Sequence, residues 1–187
     1  DLVNFLEIKS LTITDLDSVV GNHNKSCPCD LNIEDLKTTN PTIKNWFGYK
    51  YKKLFISEIK EKYSTITSRE KISDTENSLI TFQLPINDET KCGRTLEEQF
   101  LIENKEWIVE HKDKLDSFND AISKIKKDYY GNDLNITIET LTKEQICQYC
   151  YEIIQGIEKS SFSLDVISLE GWEIPRYIME GLQWLAK

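Results

Sequence analysis

Residues 13–18, ITDLDS, set two carboxylates, Asp15 and Asp17, one residue apart directly after an apolar run. Where a strand ends and the chain turns, such a pair can approach one cation. Hard divalent ions such as Mg²⁺ take oxygen ligands and keep waters for exchange. Two acids at this spacing are otherwise a solvated pair at a strand end. Against that plainer reading, the run is apolar right up to Asp15, and Ser18, Val19 and Val20 offer no obvious helix for the acids to cap. A second group lies in residues 93–100, GRTLEEQF. Glu97 sits at the start of a predicted helix, where a carboxylate could complete a metal site, and Arg94 could meet a phosphate bidentately. Standing alone, the stretch is a capped surface helix with acids on its dipole. The third group is residues 158–167, EKSSFSLDVI. Lys159, at the end of an amphipathic helix, could neutralise charge on a phosphoryl transition state. A lysine near a helix C-terminus is also mildly stabilising in its own right.

These side chains need elements to position them. Residues 11–14 read as a short buried strand running into Asp15, and residues 20–40 as a polar loop or poorly structured insert. Asn40 and Pro41 mark a helix start, with Ile43, Trp46 and Phe47 at helical spacing. Residues 53–63 are an apolar helix or strand, and residues 78–84 a strand stopped by Pro85. Thr95 can cap a helix over residues 96–104, with Glu97 and Glu98 in its first turn. Trp107, Ile108, His111, Leu115, Phe118, Ile122 and Ile125 predict one long helix ending near Gly131. A brief strand over residues 135–138 follows. Ile146, Tyr149, Cys150, Ile153, Ile154 and Ile157 form the stripe of the next helix. Residues 161–168 fit either helix or strand, and Pro175 opens a final amphipathic helix carrying Ile178, Leu182 and Leu185. Strands alternating with helices argue for an α/β sheet, in which sites form at the carboxyl ends of strands.

Composition bounds the class. With 187 residues, 39% apolar, the chain reads as one domain with a helical elaboration. Seven glycines and four prolines exclude a linker-like chain. No apolar run approaches the roughly 18 residues of a membrane helix, and the first residues lack a signal-peptide pattern, so no membrane partner is expected. Cys27, Cys29, Cys92, Cys147 and Cys150 are an odd set without a secretory signal, which points to a reducing, cytoplasmic setting. A CxC plus a CxxC could bind zinc, but Cys150 falls in an apolar helical stripe, which favours packing. The net charge of −9 argues against a general nucleic-acid binder. Locally the balance reverses: residues 44–71 carry eight basic side chains against three acids, with Trp46, Phe47, Tyr49 and Tyr51 interleaved. Lys50, Lys52 and Lys53 in that stretch are candidate contacts to a DNA backbone; the alternative is a solvated face with half-buried tyrosines.

Taken in order, LTITDLDSV, TTNPTIKNWFG (38–48), GRTLEEQFLIEN (93–104), KSSFSLDVI (159–167) and WEIPRYIMEGLQWL (172–185) resemble the carboxy-terminal part of OLD-family (overcoming lysogenization defect) nucleases. In that family an ABC-type ATPase is joined to a Toprim nuclease domain. The resemblance implies a Toprim-like, Rossmann-like α/β fold with a mostly parallel sheet and a helical insert at about 105–131. It implies that Asp15, Asp17 and Glu97, with Thr95 at the hydroxyl position, hold Mg²⁺ or Mn²⁺, and that Lys159 supports catalysis, with Arg94 beside it. Two ions about 4 Å apart would activate a water and stabilise the leaving oxygen of a phosphodiester. Implied partners are DNA, an ATPase domain upstream in the parent chain, and further copies in a homo-oligomer. The sequence departs from the family upstream of the DxD: only 14 residues precede Asp15, Glu7 is the sole acid between Asp1 and Asp15, and no GxxxxGK[ST] occurs. The chain starts at Asp1 and its one methionine is Met179. It is therefore read as an incomplete module that binds divalent metal weakly and cleaves DNA poorly or not at all alone.

Two rivals remain open. The DLDSV motif also fits a haloacid-dehalogenase-type phosphatase, with Asp15 as nucleophile and Asp17 as acid/base. The later paired acids of such enzymes are wanting, for Asp165, Glu170, Glu173 and Glu180 are scattered. A non-enzymatic interaction module would instead use the stripes at 146–157 and 178–185 as binding faces.

Overall fold

The computed structural model describes residues 6–49, 52–63, 73–75, 77–85 and 89–187. Among these the chain is mixed α/β and divides into two compact units, Asp1–Thr95 with Ile174–Lys187, and Leu96–Glu173. Among the described residues no helix is long and apolar enough to cross a membrane.

The first unit is built on β1 (Ser10–Ile13), which pairs in parallel with β8 (Ser78–Thr81), Ser10 opposite Ser78 and Ile13 opposite Thr81. Strand β7 (Ser73–Thr75) adds to the other edge of β8, antiparallel. All four residues of β8 are buried, as befits a central strand. Pro175 precedes helix α8 (Arg176–Ala186), whose Gly181 lets it lie close on this sheet. A Cβ at that position would stand 2.9 Å from Leu11 Cδ1 and 3.0 Å from Thr81 Cγ2.

Residues 20–40 depart from the expected loop. Strands β2 (Ser18–Val20), β3 (Lys25–Ser26) and β5 (Lys37–Thr38) join β6 (Leu54–Phe55) in an antiparallel sheet of order β3-β2-β5-β6. Strand β4 (Cys29–Asp30) pairs with β9 (Lys91–Cys92) in a second antiparallel ladder. Lys37 is buried because its ammonium donates to the Gly21 carbonyl at 2.6 Å. Among the described residues β1–β8 is thus the one parallel pairing, so the expected mostly parallel sheet is not what they form. Helix α1 (Pro41–Trp46) begins as predicted, capped by Asn40 with Pro41 in its first turn. The 53–63 stretch is β6 followed directly by α2 (Ile56–Tyr63).

The second unit is helical. It comprises α3 (Leu96–Glu103), α4 (Lys105–His111), a 3-10 turn (Lys112–Lys114), α5 (Asp116–Lys124), α6 (Lys143–Gly156) and α7 (Lys159–Ile167). The single long helix expected from Trp107 to Gly131 is broken at Leu115, whose φ of −102° and ψ of 80° leave the helical region. The break lets Trp107 and Ile108 on one side, and Phe118 and Ile122 on the other, enter the same core. Leu115 cannot cap α5, and Asp165 does so from α7: its carboxylate accepts from Ser117 N (3.0 Å) and Ser117 Oγ (2.5 Å). Beyond Lys124 the chain forms a tight reversal, with Gly131 at a φ of 86° and Asp128 accepting from Tyr130 N and Asn132 N. Residues 135–138 are not a strand. Helix α6 opens with a capping box between Thr142 and Gln145. Residues 161–168, open in the sequence, fall in α7 and its end.

Candidate functional site

Strand β1 ends at Ile13, and the chain then turns through Asp15, Leu16 and Asp17. Leu16 is fully buried, which anchors the turn and leaves the flanking aspartates half-buried. Asp17 sits at a φ of 51°, the left-handed region that Asp tolerates better than most residues. Two amides hold the turn. Gln83, just beyond β8 and 1% exposed, accepts from Leu16 N (2.8 Å) and donates to Asp15 Oδ1 (3.0 Å) and to the Tyr177 hydroxyl (3.0 Å). Asn40 uses both ends of its side chain. Its oxygen accepts from Thr42 N (2.9 Å) and Ile43 N (3.1 Å), capping α1. Its nitrogen lies within hydrogen-bonding distance of Asp15 O (2.8 Å), Thr14 Oγ1 (3.0 Å) and Asp17 Oδ2 (3.1 Å).

Arg94 closes the other side. Its carbonyl accepts from Asp17 N (3.0 Å), its Nε donates to Ser18 O (3.4 Å), and its Nη2 stands 3.8 Å from Asp17 Oδ1. The Arg94 side chain is 13% exposed and that of Asp17 37%, so the guanidinium backs the carboxylate from inside. Thr95, next in sequence, is buried. Asp15, Asp17, Asn40, Gln83, Arg94 and Tyr177 thus belong to one polar constellation at the carboxyl end of β1, bordered by Thr95.

Glu97 and Lys159 belong to the helical unit. Lys159 is the first residue of α7 rather than the last of the preceding helix: Ile157 leaves α6 in an extended conformation (φ −82°, ψ 138°), and Glu158 caps α7 by accepting from Ser161 N. From there the Lys159 ammonium reaches Glu97 Oε2 at 2.9 Å, with Glu97 on the first turn of α3. The next residue, Glu98, is fully buried, and its charge lies near Cys150. Burial first, then Glu98, pushes the Cys150 thiol well above its ordinary value.

Among the described residues no group of three or more His, Cys, Asp or Glu side chains is arranged to hold a metal ion. The donor chemistry of Asp15 and Asp17 nevertheless suits Mg²⁺, which uses one or two carboxylates and completes its shell with water. The cysteines show no zinc arrangement: Cys29 pairs with Cys92, while Cys147 and Cys150 lie in α6.

Of the basic stretch, Lys52 and Lys53 are exposed, and Lys53 Nζ approaches Asn22 Oδ1 at 3.5 Å. Lys60 donates to the Glu89 carbonyl. Phe47 packs edge-on against Phe82, with ring centroids 6.2 Å apart, and so serves the fold. Lys50, Tyr51, Arg69 and Lys71 lie outside the described residues.

Asn40, Gln83 and Tyr177 carry no motif that marks them as site residues in the sequence. Asn40 was visible as a helix start, and its second role was not. Gln83 carried a signal, being the one amide inside the apolar run of residues 79–84. No protein-family model, no curated protein and no solved structure matches this chain.

Proposed function

We propose that the chain carries the acidic part of a Toprim-type, metal-dependent DNA endonuclease site of the OLD-family kind, with low activity on its own. The observation that carries this reading is the placement of Asp15 and Asp17 at the carboxyl end of β1, the strand paired in parallel with β8, with each carboxylate steered by a neutral amide. Sites at the carboxyl ends of parallel strands are the rule in α/β proteins. In this reading β1 and β8 belong to a Rossmann-like Toprim sheet. Asp15 and Asp17 hold Mg²⁺ or Mn²⁺, with Thr95 as a further donor. The ions would supply an activated water and charge neutralisation at the scissile phosphate.

The chain's own residues do the rest. Gln83 and Asn40 fix the two carboxylates before substrate arrives, which spares the site the cost of ordering them. Arg94 holds Asp17 in place and would stand beside a bound phosphate. Lys159, exposed and paired with Glu97 at 2.9 Å, would support catalysis by neutralising charge on the phosphoryl group. Lys52 and Lys53 add phosphate contacts, with Lys50 beside them in sequence. The same reading has DNA as substrate, an ATPase domain upstream in a longer cytoplasmic parent chain, and assembly as a homo-oligomer.

Mn²⁺ binding followed by electron paramagnetic resonance tests the site directly. A Kd in the range of about 0.1–1 mM is expected, weakened roughly tenfold or more by Asp15→Asn or Asp17→Asn. Unchanged binding in both variants overturns the assignment. Nicking of supercoiled plasmid by the purified chain should be slow and lost in Asp15→Asn. Hydrolysis of p-nitrophenyl phosphate that depends on Asp15 would instead favour the phosphatase reading.

A further inference from the structure

Cys29 and Cys92 stand opposite each other across the β4–β9 ladder. Their sulfurs are 3.3 Å apart, with the Cys92 thiol donating to Cys29, and both side chains are buried. Residues opposed across antiparallel strands have Cα atoms about 4.5–5.5 Å apart, inside the range of about 4.4–6.8 Å that a disulfide spans. Forming the bond needs the sulfurs to close to about 2 Å, a shift that side-chain rotation and slight strand approach can supply. Both sulfurs are buried, so a small oxidant reaches them through local opening of this ladder, which is two residues per strand.

We propose that Cys29 and Cys92 are a reversible dithiol–disulfide pair, oxidised by a peroxide, and that the bond fixes β9 and thereby the Arg94–Asp17 contact. One thiol, as its thiolate, attacks a peroxide oxygen. The O–O bond breaks, hydroxide leaves and is protonated to water, and the sulfur becomes a sulfenic acid. The second sulfur attacks the first, the S–S bond forms, the S–O bond breaks, and the departing hydroxide takes the second thiol's proton as water. Two thiols lose two electrons, and one hydrogen peroxide becomes two waters. An external dithiol reverses the change by thiol–disulfide exchange.

The link to the site is short. Only Gly93 separates Cys92 from Arg94, whose carbonyl and guanidinium both face Asp17. Two residues before Cys29, just ahead of β4, the Cys27 carbonyl accepts from Ser18 Oγ at 2.8 Å. The segments carrying the two cysteines are therefore bonded to the Asp17–Ser18 turn from both sides. This regulatory consequence rests on the metal-site reading of Asp15 and Asp17; the disulfide itself does not.

The experiment compares the full chain after dithiothreitol and after hydrogen peroxide, mapped by mass spectrometry of unreduced peptides. A Cys29–Cys92 cross-link should form in the parent and in Cys27→Ser, be absent from Cys29→Ser and Cys92→Ser, and vanish on reduction. Oxidation should raise the thermal midpoint of the parent by roughly 5 °C or more and leave both of those serine variants unmoved. Five free thiols after oxidation, or a cross-link that joins another pair, overturns the proposal. Should a serine variant fail to fold, the peptide map of the parent decides alone. Mn²⁺ affinity is read on the same two samples, and a change of about threefold or more is expected between them. Equal affinity in the two states overturns the coupling. No Mn²⁺ binding in either state overturns the metal reading, and the disulfide stands or falls on its own map.

Discussion

At the scale of single residues, the candidate site depends most on Asn40, which serves a helix and a carboxylate with one side chain. Asn40→Ala removes the cap of α1 and the amide donor to Asp17 and to the Asp15 carbonyl. The loss should be about 2–3 kcal/mol by urea denaturation, from one cap and one stranded set of acceptors. Asn40→Asp is the more telling variant. Asp caps helices as well as Asn does, but its second oxygen would face Asp17 Oδ2, now 3.1 Å from the amide nitrogen. Two carboxylates at that distance repel until one binds a proton. The aspartate variant should therefore lose stability at pH 7 and regain much of the difference from the parent near pH 4, whereas the alanine variant's deficit stays constant. Equal deficits of the aspartate variant at both pH values would count against the contact. Asp15 and Asp17 were legible because their signal is local, a two-residue spacing after an apolar run. Their amide partners were not, since Asn40 and Gln83 reach Asp15 from 25 and 68 positions along the chain. No window on the sequence contains both members of such a pair.

At the scale of elements, the ends of helices decide where Lys159 emerges. Its helix, α7, starts there because Glu158 turns back to cap it. The carboxylate accepts from the hydroxyls of Ser160 and Ser161 and from Ser161 N, and in that order these bonds pull it from an ordinary 4.5 down to about 2. A carboxyl depressed in the folded state favours folding above its unfolded value and loses that contribution as pH falls from 4.5 toward 2. The side chain is fully exposed, so the effect is best read by titration. The Glu158 carboxyl carbon, followed by NMR, should titrate near 2, and the pair Ser160→Ala with Ser161→Ala should bring its midpoint back toward 4.5. A midpoint near 4.5 in the parent would remove the cap from the account. Boundaries of this kind explain what the sequence did and did not disclose. The start of α1 was visible because Asn40 and Pro41 carry it locally. The break at Leu115 was hidden because the spacing of three and four runs straight through it, and apolar residues on both sides remain buried. The capping that permits the break comes from Asp165, 48 positions away from Ser117. The sheet between Ser18 and Phe55 escaped notice because its strands are two or three residues long, too short for an alternating pattern.

At the scale of the whole molecule, the chain order and the division into units are out of step. Residues 96–173 form one unbroken stretch with its own core, which includes Leu101, Ile108, Phe118, Ile146 and Ile153, all fully buried. The other unit is discontinuous, and it takes back the last segment of the chain for its sheet. Helix α8 brings it Tyr177, 2% exposed and bonded to Gln83, and Trp184, over whose ring Lys9 Nζ lies at 4.8 Å. The two units should therefore respond differently to the same cut. The piece 96–173 expressed alone is expected to keep a helical circular-dichroism spectrum and a single cooperative urea transition, because its helices bury their apolar faces on one another. A chain ending at 173 loses α8, and with it the cover of β1 and β8 and the hydroxyl partner of Gln83. Amide exchange should then show protection retained at Ile108, Phe118 and Ile153 and lost at Leu79 and Ile80. Loss of protection throughout would mean that the helical unit folds only with the rest. Retention at β8 would mean that the parallel pair stands without α8, and that Asp15 keeps its position without the Tyr177–Gln83 bond.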